Sequence, residues 1–207
     1  MRTINPTRLN LTSTILDKKV KTLYITAPSR DMGTSTMAIS LAEALATNVS
    51  EKILLIDGNY HANRISTHFD LQEEWGYVNV DSKDNIEHVG SWIDHPYPYH
   101  FDVLAYGKLD QDTSQVKDRE ILQNMLDKLL LDYDYILFDA PPIHESAKGL
   151  ALASAFDGVV LVIAGEDTRW EVARAAQRKL SQAGATLIGA IFNKRKYYVP
   201  QWVYNWL

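Results

Sequence analysis

Five stretches of the chain are apolar almost throughout, at 22–27 (TLYITA), 52–57 (KILLID), 135–139 (YILFD), 158–164 (GVVLVIA) and 186–192 (TLIGAIF), and a sixth, 101–106 (FDVLAY), is nearly so. Continuous rather than alternating hydrophobicity is the pattern of strands covered on both faces. Between them, apolar residues fall at helical spacing over 34–47, 116–131, 146–155 and 168–183, with a shorter candidate helix at 64–69. Strand, short loop, helix and strand in succession make a βαβ unit, and such units build a parallel sheet. The pattern therefore predicts an α/β fold, a doubly wound, mainly parallel sheet of six to eight strands with helices on both faces. The two prolines in 94–100 (DHPYPYH) require a loop, because proline and the residue before it resist helix. Residues 1–20 show little periodicity and are read as a loosely held N-terminal arm. Residues 21–207 are read as one domain, with an aromatic tail at 197–207.

Composition narrows the functional classes. The 207 residues suit a single domain, and 46% hydrophobic with 23% charged residues is ordinary for a folded one. Lys and Arg total 21 against 26 Asp and Glu, a formal charge of −5, which argues against nucleic acid as a partner. With no cysteine, the chain has no disulfide, Cys-zinc site, iron–sulfur cluster or Cys nucleophile. Six histidines show no H-x-x-x-H spacing, so no zinc site is expected. No run approaches the ~20 apolar residues of a membrane span, and residues 1–19 lack the apolar core of a secretion signal. The expected location is the cytoplasm, with peripheral attachment at the inner face of the cell membrane left open.

In open α/β sheets, ligands bind beyond the carboxyl ends of the strands. The first strand is followed by PSRDMGTST, in which Gly33 precedes Thr34, Ser35 and Thr36 at a helix start. Backbone amides, a glycine and a helix N-terminus are what a phosphate-binding loop needs. The usual G-x-x-x-x-G-K-[ST] pattern is incomplete: Thr34 stands at the lysine position and the first glycine is missing. On this segment alone, a helix cap by Thr34 or Ser35 is an equal alternative. Two other strand ends favour the phosphate site. Asp57 and Asp139 each close an apolar run, where carboxylates can hold Mg²⁺ together with the Ser35 hydroxyl. Arg30, in the same loop, is a candidate replacement for the lost charge.

Four segments resemble the cytoplasmic domain of bacterial tyrosine kinases, the BY-kinases of capsule and exopolysaccharide synthesis, in the MinD/ParA-like branch of P-loop proteins. TAPSRDMGTSTM at 26–37 lines up with a first nucleotide loop ending P-G-E-G-K-S-T. ILLIDGN at 53–59 resembles L-L-I-D-x-D, and YDYILFDAPP at 133–142 resembles Y-D-x-x-x-x-D-T-P-P. DGVVLV at 157–162, Thr168-Arg169 and IGAIFN at 188–193 follow the family order. The resemblance covers roughly residues 20 to 207 and implies a P-loop fold, ATP or ADP with Mg²⁺, and metal ligation by Ser35, Asp57 and Asp139. It also implies phosphate contacts at Gly33, Thr34, Ser35 and Thr36, and a base contact at Asn193. The implied partners are a membrane polysaccharide co-polymerase or another exopolysaccharide assembly protein, and further copies of the chain. Family tyrosines that autophosphorylate lie at the C-terminus, where Tyr197, Tyr198 and Tyr204 stand here; packing or partner contact is the favoured reading of this aromatic tail.

Departures from the family pattern change the expected chemistry. The loop lysine is Thr34, the second aspartate of the second motif is Asn59, and the arginine that usually follows is His61. Losing one preorganised donor to a transition state costs ~10²–10³ in rate. The expectation is a regulatory or accessory exopolysaccharide protein with a degenerate nucleotide site, weak or absent nucleotide binding and little or no tyrosine kinase activity. Asp57 and Asp139 would be the catalytic residues were it active. A MinD-like ATPase switch of a polysaccharide secretion system is the alternative, because some secretion ATPases with a G-T-T loop resemble this chain. An active autokinase is a second alternative.

Overall fold

A computed structural model describes residues 13–15, 20–48, 51–59, 63–71, 74–80, 83–108, 119–165 and 167–194. The strands are β1 (Thr22–Thr26), β2 (Ile53–Asp57), β3 (Ile93–Asp94), β4 (Asp102–Leu104), β5 (Tyr135–Asp139), β6 (Gly158–Ala164) and β7 (Leu187–Asn193). They form one sheet in the order β3-β4-β2-β5-β1-β6-β7. Every pair is parallel except β3 with β4. The helices are α1 (Thr34–Asn48), α2 (Arg64–Phe69), α3 (Lys83–His88), α4 (Arg119–Leu129), α5 (Ala147–Leu152) and α6 (Trp170–Gln182).

The apolar runs of β1, β2, β5 and β6 become strands because both sheet faces are covered there. All residues of β1, β2, β5 and β6 are buried. Alternate side chains then feed two cores. Tyr24, Leu54, Ile56, Ile136 and Phe138 pack on one face with α4 residues Leu122, Met125 and Leu126. Leu23, Ile25, Leu55 and Leu137 pack on the other with α1 residues Ala38, Leu41 and Leu45. Full burial of each large apolar side chain contributes roughly 1.5–3 kcal/mol. Because β1, β2 and β5 are central and parallel, their carboxyl ends lie together on one edge, where the loop before α1 also begins.

Three expectations need correction. Ile15 is fully buried in the α1-side core, and its carbonyl accepts the Val20 amide at 3.2 Å. Residues 13–15 are thus anchored rather than loosely held, because one apolar side chain reaches the core. The stretch 94–100 is a connection as expected, but Asp94 also ends the two-residue β3, which pairs antiparallel with β4. Its side chains are only half-buried, so the strand leaves no apolar signature. The helix expected at 146–155 is α5 followed by a 3₁₀ turn, Ala153–Ala155, with Ser146 accepting the Gly149 amide at 2.8 Å as its N-cap. Residues 1–12, 116–118 and the tail at 197–207 lie outside the described residues.

Candidate nucleotide site

The loop between β1 and α1 carries two residues in the left-handed region, Asp31 (φ 59°) and Gly33 (φ 81°). Gly33 is required twice over. A Cβ there would be strained by its φ and would lie 2.2 Å from the Asn193 side-chain nitrogen. Asp31 stands where the P-G-E-G-K-S-T pattern has its first glycine. Aspartate is among the few non-glycine residues that adopt this conformation readily, so the loop does without that glycine. Asn193, the last residue of β7, donates to the Met32 carbonyl at 2.9 Å and holds the loop from the side. The Met37 amide donates to Gly33 at 3.0 Å and starts α1.

The opposite wall is built by β2 and β5. Asp57 and Asp139 are register partners on these neighbouring strands, and both are fully buried. Asp57 accepts the Ser66 amide at 3.1 Å, the Ser66 hydroxyl at 3.0 Å and the Asn59 amide at 3.3 Å. Neither carboxylate oxygen of Asp139 has a donor in good hydrogen-bond geometry among the described residues. Burial above all, and then the Asp57 charge, push the Asp139 carboxyl well above the usual carboxylate range. The Ser35 hydroxyl and the Arg64 charge offset this only in part. Gly58, between Asp57 and Asn59, lies against the Phe138 ring, where a Cβ would fall 2.0 Å from a ring carbon. Its amide donates to the Asp139 carbonyl at 2.9 Å, locking the two strand ends together.

Between these walls lies a cavity of about 450 Å³, lined by Ser29, Arg30, Asp31, Gly33, Thr34, Ser35, Thr36, Asn59, Arg64, Pro142, Asn193 and Lys194. All the loop residues singled out in the sequence, and Asn193, therefore face one space, with the two aspartates behind Ser35 and Asn59. A buried carboxylate with no donor in good hydrogen-bond geometry suits a hydrated divalent cation, with Ser35 as the hydroxyl beside it. The loop amides and the α1 N-terminus suit phosphate oxygens.

Two charges differ from expectation. Arg30 is engaged by Glu145 on the loop after β5. The cation whose charge reaches Asp139 is Arg64, the first residue of α2, which the sequence reading passed over. Its Nη2 lies 2.9 Å from Asp31 Oδ1. The available signal was a basic residue seven positions after Asp57 at a predicted helix start.

The family model of an AAA domain matches residues 20–170. A curated relative, Tyrosine-protein kinase YwqD of Bacillus subtilis, is 30% identical over 190 residues, covering 91% of this chain and 78% of its own. Among solved structures, the chimerical protein CapA2B2 superposes with a TM-score of 0.80 at 22% identity, covering 95% of this chain and 87% of its own. Cobyrinic acid a,c-diamide synthase from Mycobacterium smegmatis, solved with an ATP analog and magnesium, superposes with a TM-score of 0.62 at 16% identity, covering 83% and 74%. The loop, the paired strand-end aspartates, the sheet order and these matches agree, and the chain belongs to the AAA-domain P-loop family, among the bacterial tyrosine-protein kinases.

Proposed function

We propose that this protein is a regulatory or accessory component of exopolysaccharide or capsule assembly, a BY-kinase-like protein that holds a nucleoside phosphate but transfers phosphate to tyrosine slowly or not at all. The observation that carries this reading is the asymmetry of the cavity. The Ser35 hydroxyl and Gly33 that line it, and the Asp57 and Asp139 carboxylates behind it, are present, while the lysine position is Thr34 and the second acidic position of the β2 motif is Asn59. Phosphoryl transfer depends on positioning and charge neutralisation at the transferred group, and those are the features weakened here. Ground-state binding depends more on loop amides and the helix N-terminus, which remain.

ATP or ADP with Mg²⁺ is the proposed ligand. Gly33, Thr34, Ser35 and Thr36 would hold its phosphates, and Ser35, Asp57 and Asp139 would hold the metal directly or through water. The metal would supply charge neutralisation between phosphate oxygens. Asp57 and Asp139, kept charged by it, would fix its position. Asn193 holds the loop through Met32, and the outer face of the same loop is where a base would rest. The partner is a membrane polysaccharide co-polymerase or another protein of the same machine, and a second copy of the chain is a further partner.

A MinD-like ATPase switch is the second reading. The presence of both buried aspartates beside Ser35 favours it, since a surface-only adaptor has no use for two carboxylates buried side by side in its core. Calorimetric titration with ATP, with and without Mg²⁺, combined with a turnover assay, separates the readings. Mg²⁺-dependent binding without turnover supports the regulatory protein, binding with phosphate release supports the switch, and absence of binding removes nucleotide from both.

A further inference from the structure

We propose that Arg64 is the phosphate-binding cation of this cavity, supplying from the first turn of α2 the charge that the loop lacks at Thr34, and that Asp31 holds it in reserve until a nucleoside di- or triphosphate arrives. This rests on the nucleotide reading above and adds to it the residue that makes that reading electrostatically workable. Arg64 lines the cavity together with Thr34, Ser35 and Asn59, and its charge is felt at Asp139 at the back of the site. Its placement is not accidental to a mobile surface. Two residues further along α2, Ser66 is buried and donates both its amide and its hydroxyl to Asp57. The same helix that fixes one acidic wall therefore presents the guanidinium to the cavity.

Its present partner is a loop residue. Asp31 adopts a left-handed conformation, and its carboxylate meets Arg64 Nη2 at 2.9 Å. Both side chains are largely exposed, 63% for Arg64 and 73% for Asp31, so the pair is weak and readily exchanged. A terminal phosphate carries more charge than one carboxylate and matches the planar guanidinium fork with two oxygens. A phosphate in the loop would draw Arg64 away from Asp31. The loop's own guanidinium, Arg30, is already engaged by Glu145.

A merely structural brace between loop and α2 makes a different prediction, and sign separates the two. If the pair only braces the loop, Arg64→Ala and Asp31→Asn weaken ligand binding together. If Arg64 binds phosphate and Asp31 competes for it, the two changes act in opposite directions. The test is calorimetric titration of Mg-ADP, pyrophosphate and adenosine into the unmodified protein, Arg64→Ala, Arg64→Lys, Asp31→Asn and the double variant. The expected result is at least about tenfold weaker binding of Mg-ADP and pyrophosphate to Arg64→Ala, as for loss of a hydrogen bond to a charged group. Adenosine binding should not change, and Arg64→Lys should recover part of the loss. Asp31→Asn should bind severalfold more tightly, and the double variant should lose that gain. Equal affinities for the unmodified protein and Arg64→Ala, or losses of the same sign in both single variants, would overturn the assignment and leave nucleotide binding standing. No binding of any phosphate ligand to the unmodified protein, to Asp31→Asn or to Thr34→Lys would overturn the nucleotide reading, and the role of Arg64 with it.

Discussion

The two walls of the cavity are held by different means. The acidic wall is part of the core: Asp57 and Asp139 are register partners on adjacent parallel strands, fully buried and locked through Gly58. The loop wall is held by separate polar contacts, among them Asn193 to Met32, Arg64 to Asp31 and Arg30 to Glu145. The acidic wall buries the carboxylates of Asp57 and Asp139 side by side despite the cost of doing so. The loop wall carries Asp31 and Gly33 in the left-handed region and Thr34 at the start of α1. Shape on this side therefore depends on a few local contacts and leaves charge free to vary. On the other side the charges of Asp57 and Asp139 are tied to core packing.

If this contrast holds, restoring charge to the loop should have the largest effect. Thr34→Lys should strengthen Mg-ATP binding by about tenfold or more, since a hydrogen bond to a charged group is worth ~1.5–3 kcal/mol. Calorimetric titration of both proteins reads this directly, and an unchanged affinity would mean that the loop does not cradle phosphate.

The acidic wall can be tested by stability. The Asp139 carboxyl is raised above its unfolded value by burial and by Asp57. Its stabilising contribution is therefore complete below the unfolded carboxylate range, ~3.9, and is lost as pH rises through the raised folded value. Asp139→Asn should raise the melting temperature at neutral pH by several degrees, at ~2–4 °C per kcal/mol for a chain of this size. The gain should shrink toward pH 4. Thermal melts across that range check it, and a uniform loss of stability would show that Asp139 is held by favourable contacts instead.

The smallest effect belongs to the loop's outer contact. Arg30 and Glu145 form a solvent-exposed pair, and such pairs contribute ~0–1 kcal/mol. Arg30→Ala should lower the melting temperature by no more than about 3 °C. A larger drop would place Arg30 with the core-tied residues rather than with the replaceable ones.

Much of this is legible in the sequence. β1, β2, β5 and β6 announced themselves because strands covered on both faces must be apolar throughout, and the strand-end aspartates followed from that edge; β7 carries the same apolar signal although it is a half-buried edge strand. β3 was not legible, since two half-buried residues between polar neighbours leave no pattern. The conformation of Asp31 was hidden because no residue pattern marks an aspartate of a loop for the left-handed region. Arg64 was hidden for a related reason: a six-residue helix carries it back over the loop, and only the Ser66–Asp57 contacts say where that helix sits.

The central claim is that the site binds nucleotide without transferring phosphate to tyrosine. Incubation of the purified protein with γ-labelled Mg-ATP, followed by measurement of bound nucleotide and of phosphotyrosine in the same sample, tests it most directly. The account predicts bound nucleotide that depends on Mg²⁺ and no phosphotyrosine above the level of an Asp139→Ala control. Clear phosphotyrosine that disappears in Asp139→Ala would contradict it and make the protein an active kinase with a rearranged site.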